Sequence, residues 1–226
     1  MKKTIAIIAL VAAAASTTFA QGLVFFNNQN STKVSTNSVA NGAASGLTAA
    51  AGGSFYYALF YSTTVTTVGG SGAAFAGTNS TGSYAFNTAG WTSAGLIGTN
   101  SGATTGRFAS SSSDAGNNSI VSGLAGVTAA NFVIIGWSAN IGNTVTALQN
   151  YLANPNAQGF FGESAVSGSI TTGNGGTQVT PQLFGVTAPG IGGFTLGVVD
   201  GAVPEPRTMV LAGLGGLSLL AFRRKK

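Results

Sequence analysis

The ionisable side chains of this chain leave few routes to catalysis or metal binding. Its 226 residues include no histidine and no cysteine, the side chains that most often act as general base, metal ligand or activated nucleophile near neutral pH. Only 6% of the residues are charged, against roughly 25% in ordinary soluble domains. The charged residues between positions 21 and 202 are Lys33, Arg107, Asp114, Glu163 and Asp200.

Asp114 and Glu163 form the carboxylate pair that could act together, as acid and base or nucleophile in a carbohydrate-active enzyme. Asp114 lies in SSSSDAGNNS, a composition typical of a loop, and Glu163 follows the glycine-rich QGFFGES, which predicts a turn and a solvated charge. Asp200 adjoins the C-terminal segment. We therefore predict no catalytic residue, and we keep an enzyme using Asp114 and Glu163 as the alternative.

Other reactive patterns are equally sparse. Without histidine, a serine nucleophile would need Lys33 as its base, and nothing in STKVST around that lysine resembles a nucleophile elbow. Asp114 with Asn117 and Asn118 could offer oxygen ligands to Ca²⁺, but the EF-hand pattern is absent and a turn held by these side chains is favoured. No GKS or GKT follows the glycines, so a phosphate-binding P-loop is excluded. We predict no metal site and no cofactor.

The elements that must position these residues are mostly strands. Aromatic and aliphatic residues occupy both alternating faces of 54–62 and 131–139, which predicts strands covered on both sides, and 22–28 and 193–199 are further strands. Weaker strand candidates are 64–68, 84–87, 96–98, 107–110, 119–121, 165–171 and 182–185.

One segment, NTVTALQNYLANP, has helical spacing. Asn143 is a suitable N-cap, Asn154-Pro155 ends the helix, and one stripe of the helix carries Val145, Leu148, Gln149 and Leu152. Together these patterns predict an all-β fold, an antiparallel β-sandwich with one short helix. A β-solenoid is the alternative, but it requires a fixed repeat and the sequence has none.

The first 20 residues have the parts of a secretory signal peptide. A lysine pair opens the chain, an apolar stretch follows over 5–15, and Thr18 and Ala20 place small residues before a cleavage site. We predict a signal helix over 1–20, signal-peptidase cleavage between Ala20 and Gln21, and a β-sandwich domain over 21–201.

The last segment, 202–226, also has three parts in order. Val203, Pro204, Glu205 and Pro206 come first, and because proline blocks helix formation, Glu205 is expected on an extended backbone. A hydrophobic helix over 208–222 follows; its uncharged part would span about 21 Å at ~1.5 Å per residue, less than the ~30 Å of a bilayer core. The chain ends with the cations Arg223, Arg224, Lys225 and Lys226.

This tail resembles the PEP-CTERM sorting signal of Gram-negative bacteria, which is also described as a C-terminal domain of ice-binding proteins. The resemblance implies processing by an exosortase, a membrane enzyme with a catalytic cysteine, and then release or attachment at the cell surface. Arg207 departs from the small residue often found there. The remainder is similar to small exported proteins of Verrucomicrobia and related bacteria, through QGLVFFNN, FYYALFY, NFVIIGWSANIG and FTLGVVDGAVPEP.

These observations predict an exported, non-enzymatic cell-surface or extracellular-matrix protein, associated with extracellular polysaccharide. Its partners during export are signal peptidase and exosortase, and the precursor is transiently inserted in the inner membrane with its C-terminus in the cytoplasm. Nucleic acid is excluded as a partner, because most of the cations lie at the two ends of the chain. A self-assembling or ice-binding structural protein, with Thr64-Val65-Thr66 on a strand, is the further alternative.

Overall fold

The computed structural model describes residues 21–37, 45–67, 77–78, 84–85 and 89–199. The predicted signal peptide and the predicted sorting segment lie outside these residues. Within them the chain forms one α-helix, α1 (Val145–Ala153), a 3-10 turn (Ala139–Ile141), and thirteen strands: β1 (Gln21–Phe25), β2 (Ser35–Thr36), β3 (Gly46–Leu47), β4 (Phe55–Ser62), β5 (Gly77–Thr78), β6 (Tyr84–Ala85), β7 (Thr92–Asn100), β8 (Phe108–Ser110), β9 (Asn118–Ala125), β10 (Ala129–Ser138), β11 (Gly159–Glu163), β12 (Ile170–Thr171) and β13 (Thr195–Val199).

The strands form one large sheet, a smaller layer packed on it, and a separate two-stranded pair of β5 with β6. The large sheet has the order β3-β2-β13-β11-β10-β4-β7-β8, with β12 also paired to β10, while β1 and β9 pair with each other in the smaller layer. All of these pairs are antiparallel except β13 with β2, which is parallel. The all-β, sandwich-like fold is confirmed, and the parallel pair is a departure from the purely antiparallel sheet that was predicted.

The long central strands β4 and β10 are buried on both faces, as their sequences predicted. Tyr57 and Leu59 lie in a core cluster that also contains residues of β1 and β9. Ala58 and Phe60 point the other way, into a second cluster. We call it the helix-side cluster, because it includes Leu148, Tyr151 and Leu152 of α1. The large sheet is therefore the middle layer, with strands on one face and the helix on the other.

The two edges of the large sheet are joined through Gly106. The Val34 N–H donates to the Gly106 carbonyl at 2.9 Å, and the Gly106 N–H donates to the Thr48 carbonyl at 2.9 Å. Gly106 has φ +76°, and a Cβ there would lie 2.9 Å from that of Lys33. Only glycine fits this crossing, which curls the sheet and protects its edges from pairing with other chains.

Asn28 holds the same crossing from inside the protein. Its side chain is fully buried. Nδ2 donates to the carbonyls of Thr32 at 2.9 Å and Gly106 at 2.8 Å, while Oδ1 accepts from the Phe108 N–H at 2.7 Å. A buried amide with its donors and acceptor in use fixes the loop after β1 against the start of β8.

The helix forms where it was predicted, with two corrections. Its N-cap is Thr144, whose side chain accepts from the Ala147 N–H, and not Asn143. Its buried residues are Leu148, Tyr151 and Leu152, whereas Gln149 is exposed. The buried positions are spaced three and four residues apart. The Tyr151 ring therefore lies in the core, where Gln149 was predicted to lie.

The weaker strand predictions have mixed outcomes. Residues 64–67 form a bend and no strand, because the Ser62 hydroxyl accepts from the N–H groups of Thr64 and Val65 and turns the chain. Residues 182–185 make isolated bridges only, and the predicted strand 165–171 shortens to β12. Conversely, the residues before Glu163, which were predicted to form a turn, form the strand β11.

Candidate functional site

Glu163 ends β11 on the face that carries the helix-side cluster. It pairs in register with Ile135 of β10, and Phe161, two residues earlier on the same face, belongs to that cluster. Its Oε2 is buried and has no hydrogen-bond partner within the described part of the chain. Burial raises the pKa of this carboxyl to about 7. The prediction of a solvated charge after a turn was wrong, and the alternation of Phe161 with Glu163 is the sequence signal that could have revealed it.

Asp114 is exposed and is used by its own turn. Oδ1 accepts from the N–H groups of Gly116 and Asn118, both at 2.8 Å, and Oδ2 accepts from the Asn118 side chain at 2.9 Å. The hydrogen bonds from Asn118 lower the pKa of the carboxyl. This is the side-chain-stabilised turn that the sequence favoured over a Ca²⁺ site. In the described residues no group of three or more His, Cys, Asp and Glu could hold a metal ion.

The two carboxylates have different surroundings. Oε2 of Glu163, on β11, is buried, whereas Asp114 is exposed in the turn between β8 and β9, where its hydrogen bonds come from Gly116 and Asn118. A two-carboxylate mechanism needs both groups to face one bond, within ~10 Å of each other. The arrangement gives no support to a two-carboxylate mechanism.

The two described cations lie at the sheet crossing. Lys33 and Arg107 flank Gly106, and the Arg107 Nε–H donates to the Asn28 carbonyl at 3.1 Å. Ser35, the hydroxyl nearest to Lys33 in the following strand, lies 2.8 Å from the Thr195 hydroxyl. Lys33 therefore lies where the sheet edges are joined, and the hydroxyl of Ser35 takes part in a hydrogen bond between β2 and β13.

The molecule has two ends, defined by the ends of β10. At one, which we name the distal end, Gln21 pairs with Ala125 just before the turn into Ala129. At the other, the exit end, Gly159 pairs with Val199, the last described residue, next to Ser138. The ten residues of β10 between them span about 30 Å.

The distal end carries a surface of uncharged polar side chains. None of the four charged residues in the described ranges lies there. The exposed hydroxyl and amide residues, which we call the distal surface, are Gln21, Thr63, Thr64, Thr66, Thr67, Thr92, Ser93, Thr171, Thr177 and Gln178. Hydroxyls and amides both donate and accept hydrogen bonds, so this surface can bind a partner that is rich in hydroxyls.

Sequence reasoning singled out only Thr64-Val65-Thr66 from this region, and as a strand. In the structure these residues lie in the bend after β4, where Val65 packs against the helix-side cluster and the two threonines are exposed. They therefore do not form the regular threonine array on a strand that the ice-binding alternative assumed.

The predicted processing residues lie outside the described residues: Ala20, Val203, Pro204, Glu205, Pro206, Arg223, Arg224, Lys225 and Lys226. In the part of the chain that the structure describes, no helix is both long and apolar enough to cross a membrane. The predicted hydrophobic helix over 208–222 is beyond that part.

Comparison with known proteins identifies one segment. Residues 202–225 match the family model of the PEP-CTERM protein-sorting motif. No curated protein and no solved structure matches the chain. The match begins three positions after Val199, the last described residue, which lies at the exit end.

Proposed function

We propose that this protein, exported and sorted to the cell surface through its PEP-CTERM motif by an exosortase, acts there without catalysis by associating with extracellular polysaccharide. The motif itself supports export and exosortase processing. The polysaccharide and the non-enzymatic role are inferences from the folded part of the chain, and the distal surface is the observation that carries them.

The distal surface suits a neutral, hydroxyl-rich polymer. It offers ten exposed hydroxyl or amide side chains and no described charge. The large exposed hydrophobic residues of the described part are Leu47, Ile120, Val127, Val179 and Val186, with no aromatic ring among them. Association would therefore depend on many weak hydrogen bonds made by a repetitive partner and not on sugar stacking.

The alternatives have less support. An enzyme using Asp114 and Glu163 would need both carboxylates to face one cleft, whereas Oε2 of Glu163 is buried and Asp114 is exposed and held in its own turn. In the large sheet, self-assembly by edge pairing is opposed because β3 and the start of β8 are tied together at Gly106.

A co-sedimentation experiment tests the proposal. The processed protein is mixed with the extracellular polymer of the producing cells, from about 0.01 M to about 1 M salt, over which the screening length falls from ~30 Å to ~3 Å. Because the contacts are uncharged, we expect binding to change little. Protein that stays in the supernatant throughout, or is released by salt, contradicts the proposed partner or the proposed contacts.

Two matched variants locate the contact. Thr64 and Thr105 are both exposed threonines outside strands, the first in the distal surface and the second beside the sheet crossing. Thr64→Glu places a charge where polymer should bind and should reduce co-sedimentation, whereas Thr105→Glu should leave it unchanged. Equal effects of the two substitutions would show that the distal surface is not the contact.

A further inference from the structure

We infer that the sorted protein is held at the cell surface by its exit end and presents the distal end outwards. This inference rests on the proposed sorting to the surface and adds an orientation to it. The orientation follows from where the last strand ends and from the short distance to the sorting motif.

The exit of the chain is fixed within the fold. Val199 is buried and pairs with Gly159, and the Tyr151 hydroxyl of α1 donates to the carbonyls of Val199 at 3.2 Å and Ala157 at 2.6 Å. Because the end of β13 is bound to both a neighbouring strand and the helix, the chain leaves the domain at one defined place.

The tether beyond that place is short. Pro204, the first proline of the sorting motif, is five residues after Val199. Five fully extended residues reach at most about 18 Å, which is less than the ~30 Å between the exit end and the distal end. When the sorting segment is held in a membrane, or the protein is attached through it, the exit end must stay near the surface.

The composition of the two ends agrees with this orientation. Arg107 and Lys33 lie at the sheet crossing. Asp114 hydrogen-bonds to Asn118, the first residue of β9, and therefore lies at the opposite end of that strand from the distal end. Exposed hydroxyl and amide side chains occur at both ends, among them Asn140, Asn154 and Gln158 toward the exit end, and what distinguishes the distal end is that none of the described charged residues lies there. The surface that the held protein offers to its surroundings fits an uncharged partner.

Single cysteines can test the orientation, because the chain has no cysteine of its own. Val127→Cys marks the distal end and Asn154→Cys marks the C-terminal end of α1; both positions are exposed. In purified protein the two thiols should react with a bulky, membrane-impermeant maleimide at similar rates. On intact producing cells we expect Val127→Cys to react several-fold faster than Asn154→Cys.

The outcomes separate the orientation from the sorting. Cell-associated protein that labels equally at the two positions, or faster at Asn154→Cys, overturns the orientation and leaves the sorting standing. Protein found only in the medium shows that no held state exists, and it overturns surface retention together with the orientation. Thr177→Cys, a second exposed distal position, replaces Val127→Cys if that variant does not fold, with the same expected result.

Discussion

Replacing Glu163 by glutamine should remove most of the pH dependence of stability between pH 5 and pH 8. The carboxyl has a folded-state pKa of about 7, raised from 4.5 by burial. Below the unfolded-state value both states hold the proton, and between the two values only the folded state keeps it. The free energy of unfolding is therefore highest at acidic pH, falls as the pH rises from about 4.5 to about 7, and is level above that.

The size of the effect follows from the same shift. At about 1.4 kcal/mol per pKa unit the full shift corresponds to about 3 kcal/mol. Because the side chain is half-buried and solvent screens its charge, we expect about 1–2 kcal/mol. Glutamine has nearly the shape of the protonated carboxyl and no charge, so Glu163→Gln should match the parent protein at pH 5 and exceed its stability at pH 8.

Urea unfolding measures this difference, with the fluorescence of the buried Trp137 and Trp91 as the signal. Asp114→Asn is the matched control. The pKa of Asp114 is lowered, so its contribution is present above the unfolded-state pKa and is lost only as the pH falls through the folded-state value. The control should keep the parent's decline from pH 5 to pH 8. The same decline in Glu163→Gln, or a parent protein that gains stability with pH, would refute the reasoning.

Three further substitutions test the fold that carries the distal surface, each by urea unfolding. Gly106→Ala should lose more stability than Gly102→Ala, by about 1–3 kcal/mol, because the two glycines have φ of +76° and +78° but only Gly106 is in a crowded site; equal losses would mean that packing at the crossing is unimportant. Asn28→Ala should cost about 2–4 kcal/mol, since three buried partners of its amide lose their hydrogen bonds, and a cost below that of an exposed substitution would contradict this role. Val127→Asn should stabilise the protein by about 1 kcal/mol, because valine at φ +58° is strained and asparagine tolerates this conformation; a loss of stability would show that the valine side chain makes a needed contact.

Strand positions with strong local patterns could be predicted from the sequence. β4 and β10 alternate large residues on both faces, and the observed burial of both faces follows directly from that alternation. α1 was found because its apolar spacing and the proline after it are local signals. The sorting motif was found for the same reason, since its order of prolines, apolar residues and cations lies within one short segment.

Short strands and buried polar groups could not be predicted in this way. β2, β3 and β12 have two residues each, too few for a periodic pattern, and they exist because neighbouring strands supply their hydrogen bonds. Glu163 appeared to be a solvated charge because the residues beside it in the chain are glycine and serine. Its surroundings come from β10 and the helix-side cluster, which are distant in sequence.

The sequence by itself determined the all-β character, the helix, the scarcity of reactive groups and the C-terminal sorting motif, because each of these depends on residue type or on local spacing. The tertiary structure alone decided which polar residues share a surface. The distal surface collects residues from five separate stretches of the chain, and the crossing at Gly106 joins loops that contain Asn28, Thr48 and Ser101. Such groupings depend on which strands pair and in what register, and long-range hydrogen bonding and core packing set that pairing.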